Sequence, residues 1–390
     1  MEFNEAFFDR GVDRRNTLCE KWDDRGVMAA GGIPLWVADM DFACAPAITE
    51  AIRRRAEHPC YGYNKEDPED EEALRGFWLR RHQLLIRQGS TVMLPCVVTG
   101  LKACVRAFTE PGDSVAFFTP VYGPFYDAVR LNGRKLLRVP LIRRDSGRYD
   151  MNLAGMEEAL KGGAKLILLC SPHNPVSRLW REYELGALCR LAAQYGVPVV
   201  CDEIHADFVY GPERFTSILS LPQGRERTVM LCAASKTFNV AGLQQAAAVC
   251  ENEEMRDQLK AALRAAGVEC GNTFARAATK AAYTACDSWL DGLIAYLDGN
   301  RGLLSQWLKE ALPEAVVTPV ESTYLAWLDL RAYGKTCLEM AEKCRLHGVA
   351  LTGGTFFGQE GEGFMRLNFA CPRGMLKEGV ARLQAAMEDR

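Results

Sequence analysis

The sequence predicts an α/β protein: a mostly parallel central sheet flanked by helices, followed by a smaller α+β unit. Two observations predict it. Through the middle of the chain, short apolar runs of strand length alternate with stretches of helical periodicity, the pattern of parallel strands joined by crossover helices. After about residue 288 the pattern changes to one long amphipathic stretch and then closely spaced short elements. A length of 390 residues is also more than one ordinary core holds, which points to two domains.

Residues 114–121 (SVAFFTPV), 135–141 and 165–170 (KLILLC) read as buried strands. Residues 181–195 (REYELGALCRLAAQY) have helical periodicity, and Gly196 is placed to stop that helix. Residues 198–201 (PVVC) begin the next strand, and 228–233 and 245–250 supply two more. The segment 288–312 predicts a long helix, with apolar residues at 289, 290, 293, 294, 297, 304, 307 and 308. A strand at 324–330 (YLAWLDL), a helix at 336–346, a Gly-rich loop at 353–363, a strand at 365–369 and a helix from Met375 complete the chain. The first fifty residues lack a sheet pattern of their own. The expected division is therefore 1–50 joining the small domain, 51–287 as the large domain and 288–390 as the small domain.

Composition narrows the function. A net charge of −3 with no basic run argues against a nucleic-acid partner. The N-terminus holds no apolar core of signal-peptide length, and no run of about 18 apolar residues could span a bilayer. The 15 cysteines form no CxxC pair and the five histidines no HExxH, so a metal site is not expected. Free thiols buried in a reducing cytoplasm are the plainer reading of so many cysteines.

Three polar clusters fall where strands should end, and ligands of open α/β sheets sit at those ends. They are 171–175 (SPHNP), 202–205 (DEIH) and 235–237 (SKT). A lysine at the end of a buried strand loses pKa by desolvation and becomes a nucleophilic amine. An aspartate facing a pyridine nitrogen keeps that ring protonated, and an asparagine can donate to a phenolate oxygen without adding charge. Together these answer the needs of pyridoxal phosphate carried as a Schiff base on Lys236. Any one cluster alone reads equally as a cap or loop anchor.

At these residues the chain resembles fold-type I pyridoxal-phosphate enzymes, the aspartate aminotransferase superfamily. Within it, the chain is most similar to the MalY/PatB-like subgroup of cystathionine β-lyases and cysteine-conjugate C–S lyases. The stretches that carry the resemblance are 36–42 (WVADMDF), 61–63 (YGY), 120–125 (PVYGPF), 170–176 (CSPHNPV), 202–207 (DEIHAD), 235–243 (SKTFNVAGL), 324–329 (YLAWLD) and 364–373 (FMRLNFACPR).

The resemblance implies a role for each matching residue. Lys236 would carry the cofactor and move the substrate Cα proton. Asp202 would face the pyridine nitrogen and Asn174 the ring oxygen. His205 would be a second donor to that oxygen or a buried, satisfied histidine. Tyr122 would stack on the ring, or serve as a core aromatic. Ser235 and the helix start at Val97 and Val98 would hold the phosphate. Tyr61, or in its place Tyr63, would reach the phosphate of a neighbouring subunit, which implies a homodimer. Arg366, with Asn174, would clamp the substrate carboxylate. Trp36 and Asp39 would lie at the substrate mouth or serve structure.

The turn at Cys96 and the residue Ser177 depart from the subgroup pattern, whereas Gln244 is what the lyase subgroup leads one to expect. Cys96 stands where a glycine is usual before Val97, and the same loop reads Thr99-Gly100. Ser177 ends the NPxG-type turn. Gln244 stands where aspartate aminotransferases carry a phosphate-binding arginine. The function implied is β-elimination from cystathionine, cysteine or an S-conjugate in a cytoplasmic enzyme. The alternatives are an aminotransferase on the same scaffold and a lyase with an added regulatory binding role.

Overall fold

The computed structural model describes residues 2–24, 26, 31–268 and 271–389. Its largest sheet has seven strands in the order Thr91–Leu94, Ala246–Val249, Thr228–Cys232, Val199–Asp202, Ala164–Cys170, Ser114–Thr119 and Lys135–Pro140. The last five pair in parallel. Their residues are mainly aliphatic, as a sheet covered on both faces requires. Two apolar clusters fill those faces, one around Phe117, Leu168 and Leu231, the other around Ile167, Met230 and Trp289.

The expected strands at 114–121, 135–141, 165–170, 198–201 and 228–233 appear with ends shifted by one or two residues. The run at 245–250 forms the strand Ala246–Val249, but it lies antiparallel to both neighbours. Its outer neighbour Thr91–Leu94 has no counterpart in the sequence reading, because four residues before a proline carry too little pattern. The helix Glu182–Gln194 ends as expected, with Gly196 at φ +67° just beyond its Tyr195 cap.

The C-terminal unit is a four-stranded antiparallel sheet ordered Val316–Val317, Leu325–Asp329, Phe364–Asn368 and Thr352–Gly353. The helices Asp287–Ala311, Cys337–Leu346 and Arg373–Glu388 surround it. Thr336 and Glu339 close the second of these with a reciprocal cap. The last helix begins at Arg373, two residues before the expected Met375, since Pro372 sets its entry. In the Gly-rich loop, Gly354 and Gly361 pass so closely that a Cβ on either would fall 2.0 Å from the other's carbonyl oxygen. From the first fifty residues, Ile33–Pro34 pairs in parallel with Val349–Ala350 of this unit. Among the described residues no helix is long and apolar enough to cross a membrane. All fourteen described cysteines are free, and ten of them are buried.

Candidate active site

The carboxyl ends of the parallel strands converge on one place. Ser114–Thr119 runs out to Tyr122, Ala164–Cys170 to Asn174, Val199–Asp202 to His205, and Thr228–Cys232 to Ser235 and Lys236. The switch in strand order falls between Ser114–Thr119 and Ala164–Cys170, where the chain moves from one side of the sheet to the other.

Lys236 sits in the single turn Ala234–Thr237 and donates from Nζ to the Ala38 carbonyl at 2.6 Å. Desolvation brings its amine down to about 8, Asp39 and Asp202 pulling it back up and Arg366 and Lys21 pushing it further down. Burial lifts the Asp202 carboxyl to about 7, against the Ile204 N–H that it accepts at 3.1 Å and the charge of Lys236. The same burial takes His205 down to about 3, with Lys236 and Arg366 adding to the effect, so the ring is neutral at physiological pH. Arg366 is buried in Phe364–Asn368. It donates to Asn174 Oδ1 at 3.2 Å, to the Trp36 carbonyl at 2.8 Å and to Thr352 Oγ1 at 3.3 Å. Its guanidinium lies 4.8 Å from the Phe357 ring centre, and desolvation lowers it to about 10. Tyr122 is within electrostatic range of Arg366, Asp202 and Cys96. Lys236, Asp202, His205, Asn174, Arg366 and Tyr122 therefore form one cluster.

Val97 opens the helix Val97–Phe108, and Val98 follows it. Among the described residues no side chain caps that helix, which leaves its first N–H groups open to an anion. Cys96 is the cap residue, at φ −159° and ψ 163°, an extended conformation open to any residue. Its sulfur pairs with the Thr99 hydroxyl at 3.3 Å rather than with the helix N–H groups. The helix lies against the strand that leads to Ser235: a Cβ on Gly100 would come within 2.9 Å of Leu231. Gln244 is exposed, and its side chain donates to the Ala241 carbonyl. Ser177 takes φ +53°, and its hydroxyl reaches Thr323 at 3.0 Å and the Leu325 carbonyl.

Several polar residues around the site were not singled out from the sequence. Residues 36–42 form a strap in which every carbonyl accepts a hydrogen bond. Arg366 and Thr352 reach Trp36, Asn368 reaches Val37 and Asp39, and Lys236 and Tyr324 reach Ala38. Lys21 also reaches Asp39; Asn239 reaches Met40 and Phe42, Arg14 reaches Met40, and the Val12 N–H reaches Asp41. The carboxylates of the strap are held as well. Arg14 binds Asp39 at 2.6 and 2.9 Å, and buried Lys21 and Trp22 bind Asp41 at 2.8 and 2.7 Å. Trp36 itself donates to the Lys21 carbonyl at 3.3 Å. Below the lysine, buried Asp207 accepts from Thr237 Oγ1 at 2.6 Å and pairs with His82 Nε2 at 2.9 Å. The signal for Asn239 and Asp207 lay in SKTFN and DEIHAD, two stretches already noted for their neighbours.

Tyr61 is 54% exposed, donates to the Ala56 carbonyl at 3.0 Å and rests on Phe274; Tyr63 is wholly exposed. Neither belongs to the cluster around Lys236 within this chain.

The buried Arg366 Nε and His205 Nδ1 have no partner among the described residues. With the uncapped helix start and the buried Asp202 carboxyl, these groups fit a flat, anionic cofactor with a ring nitrogen and a ring oxygen. The fold thus defines an α/β enzyme whose polar cluster gathers around a buried lysine. The chain belongs to the aminotransferase class I and II family, which matches residues 31–383. It is 39% identical to cystathionine β-lyase PatB of Bacillus subtilis, over 97% of this chain and 99% of that protein. It is 35% identical to MalY of Escherichia coli, over 96% and 97% of the two chains. The crystal structure of cystalysin from Treponema denticola, which contains pyridoxal 5′-phosphate, superposes with a TM-score of 0.93 at 30% identity, covering 98% of each chain.

Proposed function

We propose that the protein is a pyridoxal-phosphate-dependent C–S β-lyase acting on cystathionine, cysteine or an S-conjugated cysteine, with pyruvate, ammonia and a thiol as products. The observation that carries this reading is the Lys236–Asp202–Asn174–Arg366 cluster in a chain alike over nearly its whole length to a protein named cystathionine β-lyase.

Lys236 would anchor the cofactor, with Asp202 at its ring nitrogen, Asn174 and His205 at its ring oxygen and Tyr122 on its face. Ser235 and the N–H groups of Val97 and Val98 would take the phosphate. When bound, the cofactor supplies an electron sink for negative charge at the substrate Cα. The unpartnered Arg366 Nε and the Nη1 hydrogen not given to Asn174 would face the substrate carboxylate, and the Asn174 amide would add a donor. Desolvation lowers the Lys236 amine toward the free-base form that would take the Cα proton. His205, neutral by burial, adds polarity there without a second positive charge. Trp36 and the Arg14–Asp39 pair border the substrate mouth from the strap side.

A cytoplasmic homodimer is part of the same proposal. The half-exposed Tyr61 and the wholly exposed Tyr63, two residues apart, support it, since such aromatic surface suits a face covered by a second copy. The division into 1–50, 51–287 and 288–390 is supported by the two separate sheets and by the pairing of Ile33–Pro34 with the C-terminal unit.

The test is purified protein mixed with L-cystathionine and no keto acid. Pyruvate and free thiol should appear together. Transamination that requires 2-oxoglutarate, with no thiol released, overturns the proposal.

A further inference from the structure

Tyr324 directly precedes the strand Leu325–Asp329 and is fully buried. Its ring stands edge-on to Phe208, with centroids 4.8 Å apart, and to His205 at 5.8 Å. Its hydroxyl donates to the Ala38 carbonyl at 3.0 Å, the same oxygen that accepts from Lys236 Nζ at 2.6 Å. Burial raises the phenol well above its ordinary range, so it is a neutral donor at every physiological pH. A carbonyl oxygen has two lone pairs. Tyr324 occupies one and leaves the other for the lysine. Ala38 lies in a bent strap without regular structure, whereas Tyr324 is a rigid ring packed between two aromatic side chains.

We propose that Tyr324 is a positioning residue for Lys236: it fixes the Ala38 carbonyl where the lysine amine rests whenever that amine is not covalently engaged. The amine then returns to one place in each turnover, beside Asp39 and Asp202. The activity part of the test rests on the lyase reading; the chemical-labelling part does not.

The first variant is Tyr324→Phe, which keeps the ring contacts and removes only the donor. In the cofactor-free chain, competitive labelling with acetic anhydride, resolved to Lys236 by mass spectrometry, gives the pH midpoint of the amine. Two donors on one oxygen weaken each other, so loss of the phenol makes the Ala38 oxygen the stronger acceptor for the ammonium form and favours that form. The midpoint should rise by at least about half a unit, roughly a threefold drop in labelling near pH 7.5. In the loaded enzyme kcat should fall about tenfold while KM stays within about twofold, the mark of a group that acts on the lysine rather than on substrate binding. An unchanged midpoint overturns the proposal whatever kcat does. If circular dichroism shows that the phenylalanine variant does not fold, 3,5-difluorotyrosine at position 324 decides the matter. This stronger donor should lower the midpoint, and no shift overturns the proposal. Wild-type protein that releases no thiol defeats the lyase reading instead, and the labelling result still judges Tyr324.

Discussion

Replacing Asp207 with alanine removes an acceptor that ties the turn carrying Lys236 to the loop that carries His205 just beyond Asp202. The carboxylate is buried and takes bonds of 2.6 Å from Thr237 and 2.9 Å from His82. Hydrogen bonds to a buried charged group contribute about 1.5–3 kcal/mol each, and the alanine variant leaves both partners unpaired in the interior. The expected loss is about 3–5 kcal/mol. With a slope of about 3 kcal/mol/M for a chain of this size, the urea midpoint should fall by about 1 M or more. Thr237→Val removes one of the two bonds and should cost about 2 kcal/mol. The double variant should lose less than the sum, because both changes break the same link. The pH dependence carries a sign. Burial alone would raise the Asp207 carboxyl, but His82 and Thr237 outweigh it and hold the group below its ordinary value. Its contribution is therefore full above about pH 4 and is lost as pH falls through the depressed folded value, so the gap between wild type and variant should close in acid. A urea midpoint within about 0.2 M of wild type at pH 7 would refute the reasoning.

Three further outcomes are expected. The Lys236 amine is lowered to about 8, so the folded, cofactor-free chain binds fewer protons than the unfolded one between about pH 8 and 10.5; Lys236→Met should be the more stable chain below pH 8, and chemical denaturation should show that advantage shrinking as pH rises through this window. Glu203 is buried, raised to about 8 mainly by desolvation, and its Oε2 has no partner; Glu203→Gln should stabilise the protein above pH 8 and lose that advantage toward pH 4, as read by melting temperature across pH. Cys96→Ser places a better cap at the start of Val97–Phe108, so it should add about 0.5–1 kcal/mol to the cofactor-free chain and weaken pyridoxal-phosphate affinity in a fluorescence titration, because the hydroxyl competes for the same N–H groups.

The parallel core was legible because period and polarity carry it: KLILLC and TVMLC are strands of a sheet covered on both faces, and each ends in a polar cluster. The direction of Ala246–Val249 was not legible, since an apolar run reads the same either way and its partner Thr91–Leu94 is four residues long. Within the site, Lys236, Asp202, Asn174 and Arg366 stood out because their residue types answer distinct chemical needs. Tyr324, Arg14 and Lys21 did not, since each acts on the strap across a long separation in sequence. A tyrosine opening an apolar strand reads as core, and a lysine among charged neighbours reads as surface. Only the fold shows that Lys21 is buried against Asp41.

The strap has one more consequence. Its bonds from side chains go to backbone oxygens at 36–40 and 42, so the surrounding protein grips it without regard to side-chain identity at Val37, Ala38 or Met40. Such a grip works on a separate molecule as well as on a tethered one. A chain starting after Phe42 should be inactive alone and recover thiol release when a synthetic peptide of residues 1–42 is added. The saturation curve of that rescue would measure, as a dissociation constant, how firmly the enzyme holds its own N-terminus.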